Sequence, residues 1–422
     1  RSTPIKSSAA SDVYKRQAAM AITSCSNEND PIVDSGNTAE TAMFNFSIAL
    51  PNTPKTKAQS TDPGTAQEQN VNDITMVLEY KDANPPQTLT KTYKVTDFTY
   101  DTDAKTYTLI EAEQVSPGTA ILTIYVNSDG IPASQISATT EDGWSLGNYA
   151  STIGDGNFLM TGKSTQFTII PNTVNTAPKV EVDRIAVKLE EATEDTNTQI
   201  EGNQYTFKAL AQNTEIKLDI EATLIEYAYT NLVTKSNTLG SKFEGGMNDY
   251  YNYFITGTVG EKLWGDEAFS DKIGMENRGA TYCFENGTTI PTTIYYKAKT
   301  KIETVEENTD FYVYKNVLYK NFDELNAEFR NSLANHGLTA TSTNAQFTEA
   351  VGVKKYTKGV CYYPAVVNAN GIDRNNWYKL RVTGIKGLGL PEPGTPPPGA
   401  ETTLIFSVTE NPWTVWNEGI EL

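Results

Sequence analysis

The residues best placed to do chemistry in this chain are its three cysteines. Cys25 closes the run "AAMAITSC", a short apolar segment ending in Ile22-Thr23-Ser24-Cys25 and followed at once by polar and acidic residues. That order resembles a bacterial lipobox, in which a signal peptidase cuts before the cysteine and the thiol is lipidated. The segment is too short to span a bilayer, so its role is signal and anchor. A free cysteine in a polar tail is the plain alternative. Upstream, "RSTPIKSSAASDVYKRQ" is not a convincing n-region and h-region of a signal; it reads as a remnant standing in place of the natural start. For Cys283 and Cys361 an exported protein permits a disulfide, but spacing alone does not establish proximity. A bonded pair and two buried free thiols both stay open. Neither thiol has a partner base, so neither reads as a nucleophile.

The remaining constellations weaken on inspection. The single histidine, His336, sits in "RNSLANHGLTA" at the end of a predicted helix, where a positive ring suits the dipole. "VNANGIDRNN" looks like part of a calcium loop, but in that register the first position falls on Val366 and the twelfth on Trp377, so the acidic ligands are missing. A turn explains it better. "TEDGW" and "GMNDYYNYF" mix carboxylates with aromatics as sugar clefts do, yet with 52 acidic residues such neighbours arise often. No zinc spacing, phosphate-cradling glycine loop or triad pattern occurs, and no metal or cofactor is expected. A net charge of −18 excludes nucleic acid as a partner, since phosphate affinity rests on clustered Lys and Arg.

The elements that would position any site are strands. In 422 residues, long enough for two or three domains, Thr, Tyr and Val abound where Leu and Ala would dominate a helical protein. Phe44, Phe46, Ile48 and Leu50 alternate with small or polar residues, the period of a half-buried strand, and a tether of Pro, Thr, Gln and Lys follows. "DITMVLEY", "TLTKTYKVTDFTY", "KTYTLIEAEQV", "TAILTIYVN" and "TQFTII" then succeed one another between turn-forming clusters. After the linker "PNTVNTAPKV", new runs begin at "VEVDRIAVKLE" and continue through "QYTFKALA", "EIKLDIEATLIEYAYTN" and "TIYYKAKTKIETV", which places a boundary near residue 178. One helix is predicted in "NFDELNAEFRNSLANHG", capped by Asn321 with Glu324 three residues on, striped by Phe322, Leu325 and Phe329, and ended by Gly337. Behind the stiff spacer "PEPGTPPPGA" lies a final alternating segment, "ETTLIFSVTENPWTVWNEGIEL".

In the second half, "YCFENGTT", "TIYYKAK", "FYVYKNVLYKNFDEL", "GVCYYPA" and "RNNWYKLRVTGIKGLGLPEPG" come in the order seen in Bacteroidales fimbrillins, the type V pilins, and look most like the minor-fimbrium, Mfa-like branch. "VEVDRIAVKL" and "NFLMTG" resemble the family's domain junction and first-domain end. The resemblance covers roughly residues 40–422 and is strongest after residue 280. It implies an all-β protein of two transthyretin-like antiparallel β-sandwich domains with one short helix in the second. Residues 1–25 would be the export signal and lipobox, 26–41 a flexible leader, 42–178 the first sandwich, 179–394 the second, and 395–422 a lead and donor strand.

By the same resemblance the chain is a lipoprotein precursor lipidated at Cys25, exported through the outer membrane to a cell-surface fimbrium. A protease would remove the strand carrying Phe44, Phe46, Ile48 and Leu50. The last strand of another subunit, with Leu404, Phe406, Val408, Trp413, Trp416, Ile420 and Leu422, would fill the groove. Fimbrillins are usually cut after Arg, whereas no Arg lies between Arg16 and Arg184 here; Lys57, or Lys55 behind Pro54, would serve instead, or the subunit stays uncut as an anchor. Expected partners are other copies or related fimbrial subunits, with host glycans or proteins as ligands, and the membrane only through the lipid. The rival readings are a non-polymerising surface lipoprotein adhesin that binds glycans and an acidic secreted hydrolase.

Overall fold

The structure, a computed structural model, describes residues 40–51, 62–65, 67–83, 85, 87–128, 143–145, 158–193, 196–197, 200–201, 204–211, 217–233, 235–239, 242, 250–251, 271–272, 280–394 and 403–414. Within 40–422 the chain is built on strands, and two larger hydrophobic clusters organise them.

The first cluster is lined by residues 42–182 and lies between two sheet layers. One layer carries, side by side, Asp183–Arg184, Met160–Lys163, Gly118–Val126, Asp73–Tyr80 and Gln87–Lys94. Asp73–Tyr80 is buried on both faces along nearly its whole length, as expected of a central strand. The other layer is laid down in two steps: Val174–Thr176, Ala42–Asn45 and Glu113–Val115, then Val180–Glu181, Ser47–Ala49, Thr106–Leu109 and Phe98–Asp101. The layers close tightly where Gly162 faces the chain beyond it, since a Cβ there would come within 2.1 Å of the Glu181 carbonyl oxygen.

The second cluster fills the space between a sheet of Thr281–Phe284, Ala186–Glu191, Asn376–Ile385, Leu404–Thr414 and Asp62–Pro63 and a larger sheet centred on Lys217–Thr230 and Thr293–Ile302. The strands at residues 204–211, 217–230 and 293–302 fall where alternation predicts them.

Two features differ from the sequence expectation. The sheets are not purely antiparallel: Ala42–Asn45 and Ser47–Ala49 run parallel to Val174–Thr176 and Val180–Glu181, and Ala186–Glu191 runs parallel to Asn376–Ile385. Parallel neighbours need long connections, and these partners are far apart in the chain. Among the described residues there are also two α-helices, where the sequence predicts one. Phe322–Asn335 begins at Asn321, whose side chain accepts the Glu324 N–H at 2.9 Å, but the Glu324 carboxylate takes the Lys320 N–H. The second, Asn344–Val351, has a complete capping box between Thr343 and Gln346 and ends at Gly352 with φ 70°. Both join a satellite cluster with Tyr312 and Tyr319, the first through Leu325 and Leu333 and the second through Phe347.

Candidate assembly site

Residues 42–50 form the middle of their layer, with hydrogen-bonded neighbours on both sides. On one side the N–H groups of Met43, Ala177 and Val182 reach Thr173, Asn45 and Ala49 carbonyls at 2.9–3.0 Å. On the other, Leu109 N–H reaches the Phe46 carbonyl at 3.1 Å, Leu50 N–H reaches that of Lys105 at 3.0 Å, and the hydroxyls of Ser47 and Thr108 meet at 2.9 Å. Phe44, Phe46 and Ile48 are fully buried and Leu50 nearly so. Phe44 stacks on Phe167 with centroids 5.8 Å apart, while Phe46 meets Phe98 edge-on at 5.7 Å and tilts against Tyr93 at 6.0 Å. Taking this segment out would open an apolar slot and strand both flanking edges.

The last strand is held differently. Leu404–Thr414 pairs antiparallel with Asn376–Ile385, with a slip at Val382 and Gly384. Leu404 is buried, Phe406 and Val408 are only half-buried against the second cluster, and Ile405 is 41% exposed. Among the described residues its outer edge is paired at the far end only, where Asp62–Pro63 runs parallel to Trp413–Thr414. Of the expected donor residues, Trp416, Ile420 and Leu422 lie outside the described residues, as does the side chain of Trp413. The described part of the expected donor segment, Leu404–Thr414, is thus a strand paired within a sheet of this chain. Cys25, Lys55 and Lys57 also lie outside the described residues.

A third element has no motif to announce it. Glu68, in the short turn Gln67–Gln69, buries its carboxylate against Lys188 Nζ at 2.9 Å and accepts the Tyr282 hydroxyl. The Lys188 ammonium also lies 3.5 Å from the centroid of the Trp377 ring. Arg184, fully buried, donates from Nε to the Glu68 carbonyl at 3.0 Å and from Nη1 to Asn375 Oδ1 at 3.0 Å. Burial pushes the Glu68 carboxyl up, but the bonds from Tyr282 and Lys188, with the Lys188 charge, outweigh it and hold the group below its ordinary value.

The other candidates take structural places. Cys283 and Cys361 are both free and fully buried, on strands of facing sheets; burial pushes both thiols up, that of Cys361 to about 11. The disulfide left open by the sequence is not formed. His336 caps its helix, with Nδ1 2.9 Å from the Ser332 carbonyl oxygen. The calcium-like loop is a turn in which Asn368 and Asn376 both donate to Glu410, at 3.0 and 2.7 Å. Among the described residues no cluster of His, Cys, Asp and Glu suits a metal, and no helix is long and apolar enough to cross a membrane. Most of "TEDGW" and "GMNDYYNYF" lies outside the described residues.

Residues 354–418 match the family "Major fimbrial subunit protein type IV, Fimbrillin, C-terminal". No curated protein matches the chain. Among solved structures, a candidate cell adhesion protein from Parabacteroides distasonis is 14% identical, with a TM-score of 0.50 over 89% of this chain and 100% of that one. A fimbrillin from Porphyromonas gingivalis is 17% identical, with a TM-score of 0.49 over 90% and 99%. The tip fimbrial protein Mfa3 from the same organism is 9% identical, with a TM-score of 0.38 over 88% and 99%. The likeness to Bacteroidales fimbrillins read from the motifs is borne out by the family match over residues 354–418.

Proposed function

We propose that this fimbrillin-like chain is a non-catalytic pilin that polymerises by donor-strand exchange: proteolysis after Lys57 or Lys55 frees residues 42–50, and the last strand of a second subunit takes their place. The observation that carries the reading is the mismatch between the two end strands. The first occupies a central, sealed slot while attached through a Lys-containing segment; the last alternates Leu404, Phe406 and Val408 in the same period but is half-covered, and among the described residues its outer side is paired only at Trp413–Thr414. A donor moving from that edge into the slot gains a second hydrogen-bonded neighbour and fuller burial. Four large apolar side chains at about 1.5–3 kcal/mol each make the slot worth on the order of 10 kcal/mol, enough for a long-lived joint. Before cleavage, residues 42–50 cover edges that would otherwise pair prematurely. Lipidation at Cys25 would carry the precursor to the surface, where it would meet other fimbrial subunits and support adhesion.

Lysine-specific digestion tests the mechanism. One amino-terminal fragment ending near Lys57 should be released from a folded remainder that then forms fibres, and Lys55→Gln with Lys57→Gln should block both steps. Fibres that grow normally from the double variant with residues 42–50 attached would overturn it.

A further inference from the structure

Residues 62–69 touch the last strand, a buried ion pair on two other strands of the same sheet, and the entry to the first core. Asp62–Pro63 is the outermost strand of the second sheet and touches the last strand at Trp413–Thr414. A few residues on, the Glu68 carboxylate, 3% exposed, is pinned by Lys188 on Ala186–Glu191 and by Tyr282 on Thr281–Phe284, two strands of that same sheet. Between pin and strand the chain ties itself into a compact loop: Thr65 N–H donates to Glu68 Oε2 at 2.7 Å, and Gln69 Nε2 to the Gly64 carbonyl at 2.6 Å. The segment then enters Asp73–Tyr80 of the first core.

A buried ion pair contributes little net stability, because desolvation offsets the attraction, but it fixes one arrangement over its neighbours. Here the arrangement fixed is the position of Asp62–Pro63 against the tip of the last strand. Without that contact the outer edge of Leu404–Thr414 would have no described neighbour along its length.

We propose that residues 62–69 form a latch: the Glu68–Lys188–Tyr282 pin holds Asp62–Pro63 against Trp413–Thr414 and so keeps the last strand on its own subunit. The latch is a property of the monomer; its purpose, restraining a donor, rests on the exchange reading above. Because Lys55 and Lys57 precede Asp62, a cut at either leaves the latch on the subunit that retains it. Loss of the first strand and release of the last strand are therefore separate steps, and the second belongs to assembly rather than to the protease.

The test is hydrogen–deuterium exchange on the uncleaved chain, followed by fibre growth after cleavage. Glu68→Gln keeps the size and an acceptor for Tyr282 but removes the charge facing Lys188. Inserting Gly-Ser-Gly between Gly64 and Thr65 instead leaves the pin intact and slackens its link to the strand. Each should raise exchange across residues 404–414 by about tenfold while residues 42–50 and 73–80 keep wild-type protection. Wild-type protection of 404–414 in the insertion variant, or a rise spread evenly over the whole chain in both variants, would overturn the latch. Loosening of 404–414 with no faster fibre growth would support the latch and count against donor-strand exchange.

Discussion

The two strands at the ends of the described chain share an alternating apolar pattern and have opposite fates in the fold. Residues 42–50 have a partner on either side and three fully buried large side chains; residues 404–414 have one long partner, one buried and two half-buried core-facing residues. Alternation therefore specifies that a segment is a strand but not how firmly it is held. Holding depends on the number of hydrogen-bonded edges and on how completely the facing layer closes over the side chains. Under the proposed exchange, the strand that is cut away is the fully buried one and the strand that moves is the one held along a single long partner.

That contrast can be broken most sharply in the two cores. Phe46→Ala empties a site walled by Phe44, Tyr93 and Phe98, and should cost about 3–5 kcal/mol in urea unfolding. Phe406→Ala, at a half-buried site facing Tyr296, should cost about 1–2 kcal/mol. Equal losses would mean that the ends of the chain are held alike.

A smaller effect comes from pH. Glu68 faces Lys188, Tyr282 and Arg184, and its carboxyl titrates below the ordinary value in the fold. A depressed acid contributes stability that is fully present above its unfolded pKa, about 4.3, and is lost as pH falls through the folded value. Protection of residues 404–414, measured relative to the intrinsic amide exchange rate at each pH, should therefore fall on acidification below about pH 4.3, and in Glu68→Gln this pH dependence should flatten. An unchanged dependence in the variant would show that another group controls the strand. The smallest effect is expected at Ile405, which points outward: Ile405→Thr should change stability by no more than about 0.5 kcal/mol.

What could be read in the sequence follows the range of the interaction. The period-two strands and the helix cap at Asn321 are local, and each was legible in a few residues. Asn344–Val351 left the same kind of signal in Thr343 and Gln346, but with eight residues and Phe347 as its only buried large apolar side chain it lacks a stripe. The Glu68 pin left none. "AQEQN" has no motif, and its partners Lys188 and Tyr282 are joined to it only by the folded sheet. The home of the last strand was hidden for a similar reason, because a proline-rich lead reads as freedom until its pairing with residues 376–385 is seen. The two cysteines show the limit of spacing: they share a cluster yet stand on facing sheets as separate thiols.

The most direct test of strand exchange is photo-cross-linking in fibres grown, after lysine-specific cleavage, from equal amounts of light and heavy isotope-labelled subunits, with Ile405 replaced by a photoreactive residue. Exchange predicts mixed-label products joining the last strand of one subunit to residues 105–115 or 174–182 of another, in fibres from which residues 42–50 are gone. Products confined to a single label, or joined only to the chain's own residues 376–385, would contradict it.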